Sequence, residues 1–119
     1  MRWFNIFIIF FIIVSTLHGQ QGRLTINDGV VSINDGAVLS INEPSTVGIT
    51  LGGTGTGYIQ SESDLNRVVW RINNSTGTFV IPFGYSSTRL NFTYQITAAG
   101  SSPGGLIAST KAVASNNTP

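Results

Sequence analysis

Two acidic residues have the spacing closest to that of a catalytic pair. Glu62 and Asp64 are two positions apart, so on an extended segment both side chains would point the same way. Paired carboxyl groups can serve as the acid and the base of glycoside hydrolysis. Solvated charges in a polar turn explain the same residues without any chemistry, and we prefer that interpretation. We therefore predict that the protein is not an enzyme.

The remaining inventory of side chains restricts reactive chemistry further. The chain has no cysteine, and its single histidine, His18, lies in a leader that we predict to be removed. A serine or threonine nucleophile would then lack an imidazole base. A transition-metal site would lack both imidazole and thiolate ligands. We predict no catalytic, cofactor-binding or metal-binding residues.

Two aspartates recur at the same place in neighbouring Asn-Asp-Gly units. Asp28 and Asp35 could hold a calcium ion together with backbone carbonyls. Aspartate before glycine is also a favourable turn residue, since its carboxylate can bond its own backbone, and we prefer that interpretation. The run Gly52–Gly57 resembles a calcium-binding nonapeptide, but that pattern needs an aspartate where Gly57 stands. A flexible or close-packed turn is expected there.

Aromatic side chains offer the remaining route to a ligand, because they can stack on sugar rings. Tyr58 and Tyr85 are the two aromatics expected to be exposed, and with Trp70 they form the candidate ligand set. Core packing is favoured for four aromatics on apolar strand faces: Trp70, Phe79, Phe92 and Tyr94.

The elements that would position these residues are short strands. Residues 24–29, 31–36 and 39–43 alternate apolar and polar residues, and Asn-Asp-Gly supplies a positive-φ corner after the first two. Such units fit either a meander of small hairpins or the sides of a β-solenoid in which three segments make about one turn. The sequence leaves both open.

Period-2 alternation predicts further strands downstream, and no segment after the leader has a helical period. Arg67–Ile72 is expected to be a half-buried strand whose hairpin partner, Thr78–Ile81, is closed by Pro82 and Gly84. Other strands are expected at Thr46–Leu51, Tyr58–Gln60, Leu90–Thr97 and Leu106–Lys111. The predicted fold class is all-β, with short repeat strands leading into an antiparallel sheet or sandwich after a signal-peptide helix.

The start of the chain predicts export. Met1-Arg2 is followed by an apolar run from Ile6 to Val14 and by small polar residues, as in a secretory signal peptide cut after Gly19. The run is too short for a membrane-spanning helix, which needs about 20 apolar residues. Without the leader, five basic residues face five acidic ones, so a nucleic-acid partner is not expected. The missing cysteines favour bacterial export over a small eukaryotic secreted module.

Composition divides the chain into five predicted segments. They are a signal peptide (1–19), a short β-repeat segment (20–51), Gly-rich and polar loops with a short strand (52–66), an antiparallel hairpin or sheet region (67–97) and a low-complexity tail (98–119).

The order of motifs in the mature chain resembles a known group of proteins. Val68-Val-Trp-Arg-Ile72, Ser75-Thr-Gly-Thr-Phe-Val-Ile-Pro-Phe-Gly84 and Asn91-Phe-Thr-Tyr-Gln-Ile-Thr-Ala-Ala-Gly100 are similar to the N-terminal region of large secreted Bacteroidetes cell-surface proteins exported by the type IX route. The segment Phe-Val-Ile-Pro-Phe-Gly departs slightly from the commoner spacing of that group. The resemblance implies that further β-domains and a sorting domain follow, and it implies no enzyme activity and no functional residue.

Together these observations predict a non-catalytic extracellular segment with a structural, display or adhesion-like role in a larger secreted protein. The alternative is a carbohydrate-binding module that uses Tyr58, Trp70 and Tyr85. Partners are unknown; an extracellular glycan or surface component is the candidate, and no membrane contact is expected after signal cleavage. A segment of a larger β-protein is also expected to expose a strand edge and to associate.

Overall fold

The computed structural model of the chain describes residues 22–111, which fold into nine β-strands without a helix. The all-β prediction is confirmed for this range, and no helix within it could cross a membrane. The predicted signal peptide lies outside the described residues. The strands are β1 (Leu24–Asn27), β2 (Val30–Ser32), β3 (Val38–Ile41), β4 (Ile49–Gly52), β5 (Tyr58–Gln60), β6 (Arg67–Asn73), β7 (Gly77–Tyr85), β8 (Thr88–Ile96) and β9 (Gly104–Ala108).

The three repeat strands do not pair with one another. Each pairs in parallel with a strand further along the chain, β1 with β4, β2 with β5 and β3 with β6. Leu24 lies opposite Ile49, and Val38 lies opposite Arg67. The repeats therefore belong to three different sheets, and the hypothesis of a meander of hairpins is wrong. Parallel strands cannot be joined by a tight turn, so each sheet receives its second strand only after the chain has visited the other two.

Corners between the short strands use left-handed backbone, as the Asn-Asp-Gly pattern predicts. Asp28 and Asp35 both have φ of 55°, and Gly36 follows with φ of 76°. At the corners after β4 and β5, the left-handed conformation is adopted by Gly53, with φ of 62°, and by Glu62, with φ of 56°. Aspartate and glycine tolerate this region better than branched residues do, so the strands end where the pattern places them.

A single cluster of buried side chains lies between the sheets. It is mainly aliphatic at the repeat strands and becomes aromatic towards β6 and β7. The alternation predicted for Arg67–Ile72 is confirmed, because Val68, Trp70 and Ile72 are all buried while Arg67 and Arg71 are exposed. The buried apolar residues are Ile26, Ile33, Ile41, Ile49, Ile59, Val68, Trp70, Ile72, Phe79, Ile81 and Phe83.

The second half of the described chain corrects two predictions. β6 is not the hairpin partner of Thr78–Ile81, because it lies between parallel β3 and antiparallel β9. β7 instead runs through Pro82 and Gly84 to Tyr85, pairing in parallel with β5 and antiparallel with β8. Proline can remain in a strand where its missing N–H is not needed for the ladder.

Two strand boundaries also differ from their predictions. β4 begins at Ile49 rather than at Thr46, and Val47 before it is exposed. The predicted low-complexity tail contains β9, which starts two residues before Leu106 and ends at Ala108. This tail strand completes a mixed three-stranded sheet of order β3-β6-β9, beside a two-stranded sheet β1-β4 and a four-stranded sheet β2-β5-β7-β8.

Candidate functional site

An exposed apolar strand face is the feature of the described chain most suited to binding. Leu90, Phe92 and Tyr94 on β8 are 57%, 39% and 45% exposed. They alternate with polar residues, so all three side chains lie on one face of the sheet. We call these three residues the β8 apolar face. The prediction that Phe92 and Tyr94 pack in the core is wrong.

The β8 apolar face is a lateral continuation of the buried core. On the neighbouring strand β7, the residues opposite it are fully or almost fully buried, at 0% to 1% exposure. The cross-strand pairs are Phe79 with Tyr94, Ile81 with Phe92 and Phe83 with Leu90. The same side of the sheet is therefore covered at β7 and open to solvent at β8, the last strand in its order.

A two-residue turn ends the hairpin that carries this face. Ser86 and Ser87 connect β7 to β8 with φ values of 46° and 67°, as in a type I′ turn. Serine lacks the conformational freedom of the usual Asn-Gly pair, so the turn benefits from outside support. Tyr58 supplies it, since its phenolic oxygen accepts a hydrogen bond from the Ser87 N–H at 3.3 Å.

The three candidate sugar-binding aromatics do not form one platform. Trp70 is 0% exposed, packs edge-on against Phe79 with ring centroids 5.2 Å apart, and donates its indole N–H to the Glu43 carbonyl at 2.7 Å. Its ring cannot reach a sugar in the folded protein. Tyr58 lies over Gly84, where an added Cβ would approach its ring to 2.6 Å. Tyr85 is 55% exposed and directly follows Gly84, so its side chain points to the opposite face of the sheet.

The Asp28 carboxylate is surrounded by hydrogen-bond donors of the protein, which argues against the calcium hypothesis. Its carboxylate accepts hydrogen bonds from the Thr54 N–H at 2.7 Å, from the Thr56 N–H at 3.1 Å and from both threonine hydroxyls. These bonds, led by the Thr54 N–H, lower the pKa of Asp28 from 3.8 to about 2. The environment is one of donors around an anion, the reverse of a cation site. Within residues 22–111 no three acidic or histidine side chains gather in a way that could hold a metal ion.

Close contacts with Asp28 and Ile26 explain two glycines of the glycine-rich run. At Gly53 an added Cβ would lie 2.1 Å from the Asp28 carboxylate, and at Gly57 it would lie 2.5 Å from Ile26. Gly57 therefore belongs to a close-packed turn, one of the two expectations for this run. The Asp28 side chain ties the corner after β1 to the loop after β4 instead of bonding its own turn.

The carboxylate pair suggested for glycoside hydrolysis occupies a corner. Glu62 has a left-handed backbone and donates its N–H to the Thr110 hydroxyl at 3.4 Å. Asp64 is exposed in the turn that leads to β6. The buried groups nearby are Ser61 and Asn66, and the Asn66 amide donates to the Ser61 carbonyl at 2.6 Å. This corner is organised around backbone hydrogen bonds.

Glu43 is a buried carboxylate that sequence reasoning did not identify. It accepts hydrogen bonds from the Ser45 hydroxyl at 2.7 Å and from Arg23 at 3.2 Å. The Ser45 hydroxyl, followed by the Ser45 N–H and Arg23, lowers the pKa of Glu43 against the opposing effect of desolvation. Because the Glu43 carbonyl also receives the Trp70 indole N–H, this segment anchors the core. A single acidic residue at the end of the third repeat unit carries no sequence signal for such a role.

Comparison of the chain with protein-family models, with curated proteins and with solved structures finds no match.

Proposed function

We propose that the chain is a non-catalytic, extracellular, β-rich segment of a larger secreted protein, with a structural, display or adhesion-like role. The observation that carries this proposal is the parallel stacking of β1, β2 and β3 on β4, β5 and β6. Partner residues such as Leu24 and Ile49, or Val38 and Arg67, are about 25 to 29 positions apart, within the repeat lengths typical of solenoids. Two turns of a short β-solenoid account for this pattern.

A solenoid suits a spacer or display role because each turn contacts only its neighbours. The stack grows along one axis, and loops at its corners can vary without disturbing the core. Here the corners are held by short polar contacts such as that between Asp28 and Thr54. The mechanism of the proposed role is mechanical: the stack holds other domains at a distance from the cell surface.

The proposed location rests on the leader pattern of residues 1–19 and on the resemblance to type IX cargo of the Bacteroidetes. Export would use the Sec route to the periplasm, and a sorting domain in the longer protein would direct the final crossing.

Labelling with antibodies and a pair of variants test the proposal in the producing cell. Antibodies against the chain should label intact cells, and labelling that requires permeabilised cells would refute the location. If the role is structural, Trp70→Ala should lower the surface level and cell attachment together, since it removes a buried side chain. Tyr85→Ala, at an exposed position, should change neither.

A glycan array of the purified chain tests the alternative. The carbohydrate-binding hypothesis requires a glycan whose binding is lost in Tyr85→Ala and kept in Ile107→Ala, which truncates an equally exposed apolar side chain on β9. That result would replace the structural proposal, whereas the structural proposal expects no such glycan.

A further inference from the structure

We propose that β8 is a self-recognition strand, through which two copies of the chain pair antiparallel about a two-fold axis at Phe92. The free edge of β8 is the first observation. β8 is nine residues long and ends the sheet order β2-β5-β7-β8, and no strand within residues 22–111 pairs with its other side. An unpaired strand edge is a template for another strand.

The hairpin geometry shows which backbone groups that edge presents. Pro82 lies opposite Asn91 and has no N–H to donate, as expected for a non-hydrogen-bonded pair. Hydrogen-bonded and non-hydrogen-bonded pairs alternate along an antiparallel ladder. Leu90, Phe92 and Tyr94 therefore direct their N–H and C=O groups towards β7. The groups directed to the free edge belong to Arg89, Asn91, Thr93 and Gln95.

Phe92 is the midpoint of Thr88–Ile96, and from Arg89 to Gln95 the sequence of β8 is chemically symmetric about it. A two-fold axis there sets Phe92 against Phe92 of the second copy, and it gives every outward backbone group from Arg89 to Gln95 a partner. The other pairs in this range are Asn91 with Thr93, Leu90 with Tyr94 and Arg89 with Gln95, and at the two ends Thr88 faces Ile96. Except in that terminal pair, apolar residues meet apolar residues, and polar residues meet polar ones.

Charge also permits this register. Arg89 is the one basic residue of β8, and the strand has no acidic residue. Pairing about Phe92 places each Arg89 opposite Gln95 of the other copy, near opposite ends of the paired strands, so like charges do not meet. The two β8 apolar faces then lie side by side and continue the core face of both sheets.

Apart from the single charge of Arg89, β8 also lacks the devices that protect strand edges. It contains no proline and no lysine, and its pairing with β7 has no bulge. β9, the edge of the other mixed sheet, also has no proline and no lysine, but it differs in length, glycine content and regularity. It has five residues, begins with Gly104 and Gly105, and pairs with β6 through a register shift between Arg71 and Asn73. A second copy is therefore expected at β8 and not at β9.

Sedimentation of the full chain over a range of concentrations tests the pairing. We expect a reversible monomer–dimer equilibrium. Thr93→Pro should weaken it at least tenfold, because it removes an N–H that points to the free edge while leaving the bonds to β7 intact. Ile107→Lys changes an exposed apolar residue of β9 and should leave the equilibrium unchanged. A chain that stays monomeric, or a dimer that Thr93→Pro does not weaken, overturns the proposal.

Circular dichroism of Thr93→Pro establishes that the variant folds. If it does not fold, Phe92→Lys is used instead. The side chain at position 92 is already partly exposed, so this variant should fold. In the dimer the two introduced positive charges would meet at the two-fold axis. A dimer equally stable in that variant also overturns the proposal.

Single cysteines test the register in a chain that has none of its own. Across a non-hydrogen-bonded pair the Cα atoms are about 4.5 Å apart, within the range of about 4.4 to 6.8 Å that a disulfide spans. Under mild oxidation Phe92→Cys should therefore form a covalent dimer. Leu90→Cys and Tyr94→Cys should each cross-link poorly alone and efficiently when mixed. Efficient self-linking at position 90 or 94, or preferential linking by Ile107→Cys, contradicts the register.

Discussion

β6 and β8 have the same alternating pattern and opposite surroundings. Val68, Trp70 and Ile72 on β6 are buried to 2% exposure or less, whereas Leu90, Phe92 and Tyr94 on β8 are at least 39% exposed. β6 lies between two strands, and β8 ends its sheet. Alternation shows which side chains share a face of a strand. Whether that face is buried depends on the strands and sheets around it, and the sequence of the strand itself does not specify them.

The largest expected difference between the two strands is in stability. Trp70→Ala should lower the free energy of unfolding by about 3 to 5 kcal/mol, because it removes a fully buried ring and its hydrogen bond to Glu43. Phe92→Ala should cost about 1 kcal/mol. Urea unfolding at low protein concentration measures both. Similar losses at the two sites would mean that the β8 apolar face is covered in solution.

A glycine beside Trp70 tests how tightly the β6 side of the core is packed. An added Cβ at Gly48 would lie 2.7 Å from the Trp70 indole nitrogen and 2.8 Å from the Glu43 carbonyl oxygen. Gly48→Ala should therefore destabilise the protein by about 1 to 3 kcal/mol. Gly29→Ala is the matched control, since its Cβ would meet nothing closer than 3.8 Å. If thermal melting shows equal effects, the packing around Trp70 is looser than described.

The hydrogen bonds of Asp28, which connect the corner after β1 to the loop after β4, should contribute to the pH dependence of the free energy of unfolding. The pKa of Asp28 is about 2 in the folded protein and 3.8 without its hydrogen bonds, so their stabilisation is complete above about pH 4. It should be lost as the pH falls from 4 to 2.

Asp28→Asn should remove that part of the acid dependence and lower stability at neutral pH, by less than Gly48→Ala does. Asp35→Asn changes the other Asn-Asp-Gly corner, where no hydrogen bond reaches the carboxylate among the described residues. Urea unfolding at pH 7 and pH 3 compares the variants. An unaltered acid profile in Asp28→Asn would show that the Thr54 and Thr56 contacts are not maintained.

The smallest effect is expected where the stacked strands support the β7–β8 turn. Tyr58→Phe removes the hydroxyl that accepts the Ser87 N–H and should cost about 0.5 to 1.5 kcal/mol. Tyr85→Phe, at an exposed site, should be neutral. Hydrogen exchange at the Ser87 amide should quicken in the first variant alone. Unchanged exchange in both would separate the turn from Tyr58.

Strand content was accessible from the sequence because its signals are local. The period-2 pattern of Arg67–Ile72 and the Asn-Asp-Gly corners at Asp28 and Asp35 depend on neighbouring residues, and the structure agrees with them. The hairpin between Arg67–Ile72 and Thr78–Ile81 was wrong because nearness in sequence favoured it. Three strands of the repeat segment instead pair in parallel with strands about 25 to 29 residues later.

The candidate site was less accessible. Tyr85 was correctly expected to be exposed. The alternation of β8 correctly placed Phe92 and Tyr94 on one face of the strand, but the prediction that this face is buried was wrong. The contact between Arg23 and Glu43 joins residues 20 positions apart, and the contact between Asp28 and Thr54 joins residues 26 positions apart. No local sequence pattern marks either contact.

By itself the sequence determined the all-β structure of residues 22–111, the left-handed corners and the sets of residues that share each strand face. These follow from backbone sterics and from the two-residue repeat of a strand. Only the tertiary structure decided which strands pair and that the face of β8 is open to solvent. These outcomes depend on contacts between strands that are distant in sequence. The free energy of those contacts comes from packing in the assembled core.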